Sequence, residues 1–352
     1  MSDKIVVYPK ELKNFIKEVL CKIGLSYEDS EIIADSLVLA NLRGIDSHGV
    51  VRLPSYVERV LKGLIKVNAK MRIVNDNGPI VVLDADNGFG QLAALKATEI
   101  AIERAKRYGI AIIGVKNANH FGMAAYYGLK IAKNNMIGIV LSNAPPAIAP
   151  WGGRKPLIGT NPICIAIPYG EKDPIIADMA MSIVARGKIR LAALKGEKIP
   201  EGWALDENGV PTTDPIKAIK GSLLPIGGPK GYCLAFMIDV LCGILTGSAF
   251  GWKLRTLNDM SGPCGTAFLI IAIDINKFRP YEEFLKDLNE YVKAIKNSPK
   301  RPNIKEIFLP GEIEIIKTKF RAEHGIPLDK GTINKLRNLA FKLKVPLPKF
   351  LQ

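Results

Sequence analysis

Leu12, Phe15, Ile16, Val19, Leu20 and Ile23 recur at three- and four-residue spacing among lysines and glutamates, so residues 10–23 predict an amphipathic helix. The segment Ser26-Tyr27-Glu28-Asp29 resembles a capping box and predicts a second helix that closes at Gly44. From residue 80 the pattern changes. The runs IVVLD (80–84) and IAIIGV (110–115) predict strands around a helix over about 92–108. Similar runs predict strands at 137–141, 163–167, 175–177 and 267–274, with helices near 182–195, 231–246 and 281–297. About fifty further residues are helical and basic; coming after the last strand, they can pack back on the N-terminal helices. The expectation is a mixed α/β chain. Residues 1–75 with 280–352 form a discontinuous helical unit, and 76–279 form a sheet unit with an inserted helical segment at about 182–246. No internal repeat or low-complexity segment is evident.

The length of 352 residues, 48% of them hydrophobic, supplies material for a large core. No N-terminal stretch joins a basic run, an apolar run and a cleavage site, which predicts a cytoplasmic protein. The longest apolar stretch, 232–250, contains Asp239 and is broken by Gly243 and Gly247, so it reads as a buried helix, not a membrane span. Cys21, Cys164, Cys233, Cys242 and Cys264 show no paired spacing and are expected to be small buried side chains, without disulfide or metal roles. The net charge of +15 would suit a polyanion, but the lysines are dispersed among acids, which argues against a nucleic-acid partner. Glutamine occurs only at Gln91 and Gln352 while Lys, Ile and Glu abound, a lean toward a thermophilic source.

Two of three histidines sit in compact polar motifs, DSHGVVR (46–52) and NHFG (119–122). His48 and Arg52 are four apart, and share one face if the segment starts a helix. That pairs a base titrating near neutrality with a cation that grips carboxylates through two parallel hydrogen bonds. Ser47 beside His48 can orient the imidazole, or Ser47 and Asp46 can simply cap a helix beginning near Val50. His120 lies where a strand gives way to a helix, so the amides of His120, Phe121, Gly122, Met123 and Ala124 are candidates for a phosphate. His324 reads as exposed. No carboxylate or cysteine is spaced to complete a metal site with either motif histidine. Gly88, Gly90 and Ala93 match the G-x-G-x-x-A nucleotide fingerprint between a strand and a helix, but the next strand ends in Val115-Lys116-Asn117, without the acidic residue that binds ribose.

The middle of the chain carries longer motifs: SNAPPAIAPWGG (142–153), LIGTN (157–161) followed by Pro162, DMAMSIVARGK (178–188), EGWALDENGVPTTD (201–214) and GGPKGY (227–232). With DSHG (46–49) and LPGE (309–312), they resemble the malate/L-lactate dehydrogenase family of nicotinamide-dependent oxidoreductases. That family includes sulfolactate and ureidoglycolate dehydrogenases and cyclic imino acid reductases. The resemblance implies a large, mainly antiparallel sheet that holds NAD or NADP without a Rossmann domain, helical units built partly from both termini, and a homodimer. It demotes Gly88 and Gly90 to a structural turn. The implied reaction moves a hydride between C2 of a 2-hydroxy acid and the nicotinamide, with malate or sulfolactate as the leading substrates and lactate, ureidoglycolate or a cyclic imine as alternatives.

On this resemblance His48 is the first candidate base, with Ser47 as its relay partner. His120 competes, because some family members have been assigned their proton acceptor at the matching position. Arg52 would clamp the substrate carboxylate, and Thr160, Arg186 and Gly187 would line the pocket. Ser142, Asp178, Met179, Ala180, Lys230, Gly231 and the turn Pro310, Gly311, Glu312 would meet the cofactor, along with residues 120–124. Three positions depart from the family pattern: Pro229 where many members have histidine, Cys233 where many have glycine, and Lys188 where the imino acid reductases carry an acidic residue. A second cation beside Arg52, Arg186 or Lys188, would favour a diacid.

Overall fold

A computed structural model describes residues 4–352. Eleven helices are assigned: α1 (Pro9–Lys22), α2 (Tyr27–Leu42), α3 (Leu53–Leu61), α4 (Gly90–Tyr108), α5 (Ala125–Ala132), α6 (Arg186–Lys195), α7 (Pro215–Lys220), α8 (Pro229–Asp239), α9 (Tyr281–Lys296), α10 (Glu312–His324) and α11 (Lys330–Leu343). The strands of the small sheets are β1 (Lys4–Val7), β6 (Pro146–Ile148), β7 (Ile158–Gly159), β10 (Ala204–Leu205), β11 (Ser222–Leu223) and β13 (Ile326–Asp329). Those of the main sheet are β2 (Arg72–Asn77), β3 (Ile80–Asp84), β4 (Ile110–Ala118), β5 (Met136–Ser142), β8 (Ile163–Tyr169), β9 (Lys172–Met179) and β12 (Thr266–Asp274).

The main sheet runs in the order β2-β3-β4-β12-β5-β8-β9. Only β3 and β4 are parallel; every other neighbouring pair is antiparallel, so the expected sheet class holds. β12 lies at its centre and is apolar on both faces. Phe268, Ile270 and Ala272 join the cluster under α4 and α5, while Ala267 and Leu269 join the cluster that includes Ala235 and Ile238 of α8. Period-two alternation thus feeds two cores from one strand. On α4 the buried stripe is alanine, Ala93, Ala94, Ala97, Ala101 and Ala105, which lets the helix lie close to the strands.

A third core joins the two ends of the chain. β1 pairs antiparallel with β13, and Leu12, Phe15, Leu37, Leu53 and Tyr56 pack with Ile326, Ile333, Leu336 and Leu351. Ser26 accepts from the Asp29 amide at 3.0 Å, the hydroxyl half of the anticipated cap, and Gly44 follows α2 in the left-handed region at φ 78°. α9 instead lies along the β8–β9 hairpin, where the Tyr281 hydroxyl accepts from the Gly170 amide at 3.3 Å.

Several local expectations are corrected. Asp46–His48 and Val50–Arg52 are two separate 3-10 turns, not a helix carrying His48 and Arg52 on one face. Asn41 divides them: its Oδ1 accepts from the Val50 amide at 2.8 Å and occupies the space a Cβ on Gly49 would need. The capping role for Ser47 falls as well, since α3 starts at Leu53 with no side-chain cap. α6 begins at Arg186, four residues later than expected, and the helix expected over 231–246 ends at Asp239 and continues as a π-turn, Val240–Ile244. Cys164, Cys242 and Cys264 are buried as expected, but Cys21 and Cys233 are exposed, on the outer faces of α1 and α8. No helix among the described residues is long and apolar enough to cross a membrane.

Candidate active site

The site forms where the sheet's open end meets the helical unit. β4 ends at Ala118 and delivers His120; the two 3-10 turns deliver His48 and Arg52 from the other side. The imidazoles of His48 and His120 stack, with centroids 5.3 Å apart and planes inclined by 22°. Ser47 Oγ is 2.9 Å from His48 Nδ1. Arg52 is drawn close by its own loop, Nε donating to Ser47 O at 2.6 Å. Both imidazoles are walled by protein yet keep partial solvent access, which describes a cleft.

The environment keeps both rings neutral. Burial, and then the Arg52 charge, push His48 down to about 4. Burial, then His48 and Arg52, hold His120 well below its usual value. His120 also has a defined tautomer: the Gly122 amide donates to Nδ1 at 3.3 Å, and the Tyr56 hydroxyl reaches the same nitrogen at 2.7 Å. Nδ1 is therefore an acceptor, and the ring proton sits on Nε2. Tyr56 is wholly buried and, like the amide of Gln91 in the layer behind it, escaped the sequence reading, because both look like ordinary core positions.

Arg52 has a cationic neighbour. The charge of Arg190 on α6 acts through space on both Arg52 and Arg186, which adds Arg190 to Arg186 and Lys188 as candidates for the second cation; Arg186 is half-buried, and Lys188 and Arg190 are exposed. Arg186 Nη2 donates to Gly221 O at 3.5 Å, and Gly187 is exposed in the first turn of α6 with open space at its Cα. Thr160 is half-buried on the adjoining wall, where its carbonyl accepts from the Met181 amide at 2.7 Å, and Met181 O in turn accepts from the Ile226 amide at 2.9 Å. Thr160, the strand end Asp178-Met179-Ala180 and the turn leading to Lys230 and Gly231 thus form one continuous rim.

The remaining expected cofactor residues divide. Phe121, Met123 and Ala124 are core side chains, Phe121 stacking on Phe268 at 4.8 Å, so only their backbone is available. α5 starts at Ala125, not within 120–124, and the Ala125 amide donates to Asp178 Oδ2 at 2.9 Å. An anion already serves that helix end: the chain's own carboxylate, which burial raises to about 6. Gly122 is buried at φ 82°, with only Ser36 Oγ, 4.0 Å away, near where a Cβ would be. The Ser142 hydroxyl is buried and donates to Asn143 O at 2.9 Å. Glu312 Oε2 is taken by Lys296 and by the Leu309 amide, while Pro310 O accepts from Ile176 N at 3.0 Å and fastens that turn to the β9 edge. The exposed Met179 and Lys230 side chains are available to a dinucleotide laid along the sheet end. Gly90 does not belong to that groove: a Cβ there would meet Asn119 O at 2.1 Å and His120 O at 2.6 Å.

Residues 7–337 match the family described as malate/L-lactate dehydrogenase. A malate/(S)-sulfolactate dehydrogenase of Methanothermus fervidus is 43% identical over 97% of this chain and 99% of its own. A ureidoglycolate dehydrogenase (NAD(+)) of Escherichia coli is 37% identical over 90% of each chain. The solved structure of sulfolactate dehydrogenase from Methanocaldococcus jannaschii superposes with a TM-score of 0.92 at 41% identity, covering 97% of this chain and 98% of that one.

Proposed function

Because the chain belongs to the malate/L-lactate dehydrogenase family and is a 2-hydroxy acid dehydrogenase, we propose that its substrates are malate/oxaloacetate or sulfolactate/sulfopyruvate, with His48 as the proton acceptor. A bound nicotinamide would supply the acceptor for the hydride leaving C2. His48 takes the hydroxyl proton on Nε2, with Nδ1–H donating to Ser47 Oγ. His120, with its proton on Nε2, donates to the same substrate oxygen and stabilises charge developing there. The tautomer imposed by Gly122 and Tyr56 is the observation that divides the two roles. Arg52 binds the substrate carboxylate, which also offsets the charge that depresses His48 and raises the proton affinity of its imidazole as substrate arrives.

The Arg52–Arg190–Arg186 cluster favours a diacid. A monoacid satisfies Arg52 alone, whereas a second carboxylate or a sulfonate also gives Arg190 a partner. The names of the relatives from Methanothermus fervidus and Methanocaldococcus jannaschii point the same way. Both NADH and NADPH remain candidates; Lys230, exposed on the first turn of α8, suits a diphosphate or a ribose phosphate. A homodimer is supported by Leu234, Met237, Leu241, Ile244 and Leu245, which form an exposed apolar stripe directly after Lys230 and Gly231.

Absorbance at the nicotinamide band, with oxaloacetate, sulfopyruvate, pyruvate and a cyclic imine offered in turn with NADH or NADPH, tests this reading. Rapid oxidation with a diacid, abolished by His48→Ala, is expected; a preference for pyruvate or the imine refutes the diacid reading.

A further inference from the structure

One crevice carries charge that the hydride chemistry does not use. It lies between α2, α5, the start of β9 and α10 and encloses about 240 Å³. That is below the roughly 300–1,000 Å³ of drug-sized pockets, but several times the ~30 Å³ share of one water. Four cations, Arg43, Lys130, Lys133 and Lys319, line it against two acids, Asp35 and Asp173.

Both acids are engaged. Asp35 accepts from Lys13 at 3.0 Å and from the Tyr126 hydroxyl at 3.1 Å, and Asp173 pairs with Lys319 at 3.3 Å. Lys130 lies over the Tyr126 ring at 4.9 Å. Two cations are left, Lys133 and Arg43. Lys133 is exposed, just past the end of α5. Arg43 is 5% exposed, its side chain forms no hydrogen bond or ion pair among the described residues, and its Nε is sealed from solvent. Asp178, Glu314 and Asp173 act on it only through space. A buried guanidinium without an acceptor is costly, and a ligand oxygen in the crevice removes that cost.

We propose that this crevice binds a phosphate group, with the Arg43 guanidinium and the Lys133 ammonium as its principal cations. A guanidinium matches phosphate through paired donors. The crevice is separate from the hydride site: α5 spans the eight residues Ala125–Ala132, so Lys133 stands about 12 Å along that helix from the end nearest His120. It is nonetheless mechanically connected. Arg321 of α10 binds Asp46 at 2.7 Å, and Asn41 of α2 donates to the same carboxylate at 2.7 Å, so the helices that wall the crevice also hold the residue preceding Ser47 and His48.

The test is direct titration of inorganic phosphate into the cofactor-free full chain by calorimetry and thermal shift, which needs no turnover and does not depend on the substrate assignment. Saturable binding is expected, weakened about tenfold or more in Lys133→Ala and in Arg43→Met, the scale of one lost charge-assisted hydrogen bond. If Arg43→Met fails to fold, Lys133→Ala decides. Absence of saturable binding, or undiminished binding in Lys133→Ala, overturns the proposal. Competition identifies the source. Displacement of NADPH but not NADH, with Lys133→Ala weakening NADPH alone, assigns the phosphate to the coenzyme's ribose; displacement of neither assigns it to a free phosphate ligand.

Discussion

The Tyr56 hydroxyl and His120 Nδ1 are 2.7 Å apart, on the buried side of the imidazole. Tyr56 is wholly buried, so replacement by phenylalanine keeps its packing and removes only the oxygen. Tyr56→Phe weakens the lock on the His120 tautomer; kcat is expected to fall about tenfold with KM changed less than about threefold. Steady-state kinetics check this, with circular dichroism confirming the fold; an unchanged kcat removes Tyr56 from the catalytic arrangement.

Arg190→Gln separates diacid recognition from catalysis. KM for the preferred diacid is expected to rise about tenfold while kcat/KM for lactate changes less than about twofold. Equal losses on both substrates would mean that Arg190 supports the pocket without reading the distal group.

The depressed His48 sets a pH signature. With its free-enzyme value near 4, the ring is neutral throughout the physiological range, so kcat/KM for hydroxy-acid oxidation should hold down to the neighbourhood of pH 4. The substrate carboxylate on Arg52 raises His48 in the complex, so the acid limb of kcat should lie at higher pH than that of kcat/KM. Stability follows the same sign. In the unfolded chain the ring titrates near 6.5 and binds the proton that the folded state excludes. The folded protein is therefore fully favoured above about pH 6.5 and loses stability as pH falls toward 4. Thermal melts of His48→Gln against the parent protein across that window should show a shallower decline.

Gly90→Ala tests the fingerprint at 88–93. Its Cβ would stand 2.1 Å from a backbone oxygen that cannot retreat without moving His120. We expect a loss of roughly 3 kcal/mol or more of stability in the cofactor-free protein. Weakened cofactor binding with an unchanged melting temperature would restore the nucleotide reading.

The legible parts were those fixed by local periodicity or by a long motif. The stripe from Leu12 to Leu20, the Ser26 cap, the Gly44 stop and the apolar runs of the sheet follow from spacing alone. His48, Arg52 and His120 stood out as scarce residues in polar surroundings. What spacing cannot supply is company. Tyr56 reads as helix core until His120 is placed beside it, and Arg190 as one more dispersed cation until its charge is felt at Arg52. Arg43 drew no attention in the sequence, yet the fold closes over it. Asn41, 5 to 9 residues upstream of the atoms it binds, broke the expected helix at Gly49 through a contact no periodicity encodes.

The pairing of β1 with β13 gives the site an order of assembly. The segment bearing Ser47, His48, Arg52 and Tyr56 is made early on the ribosome, yet the core under it is completed by Ile326, Ile333, Leu336 and Leu351, and Asp46 waits for Arg321. A nascent chain that lacks its final stretch has every catalytic side chain and nowhere to seat the first of them. Seating His48 thus depends on residues brought in from the far side of the fold, so deletion of 326–351 is expected to damage turnover as much as loss of the imidazole itself.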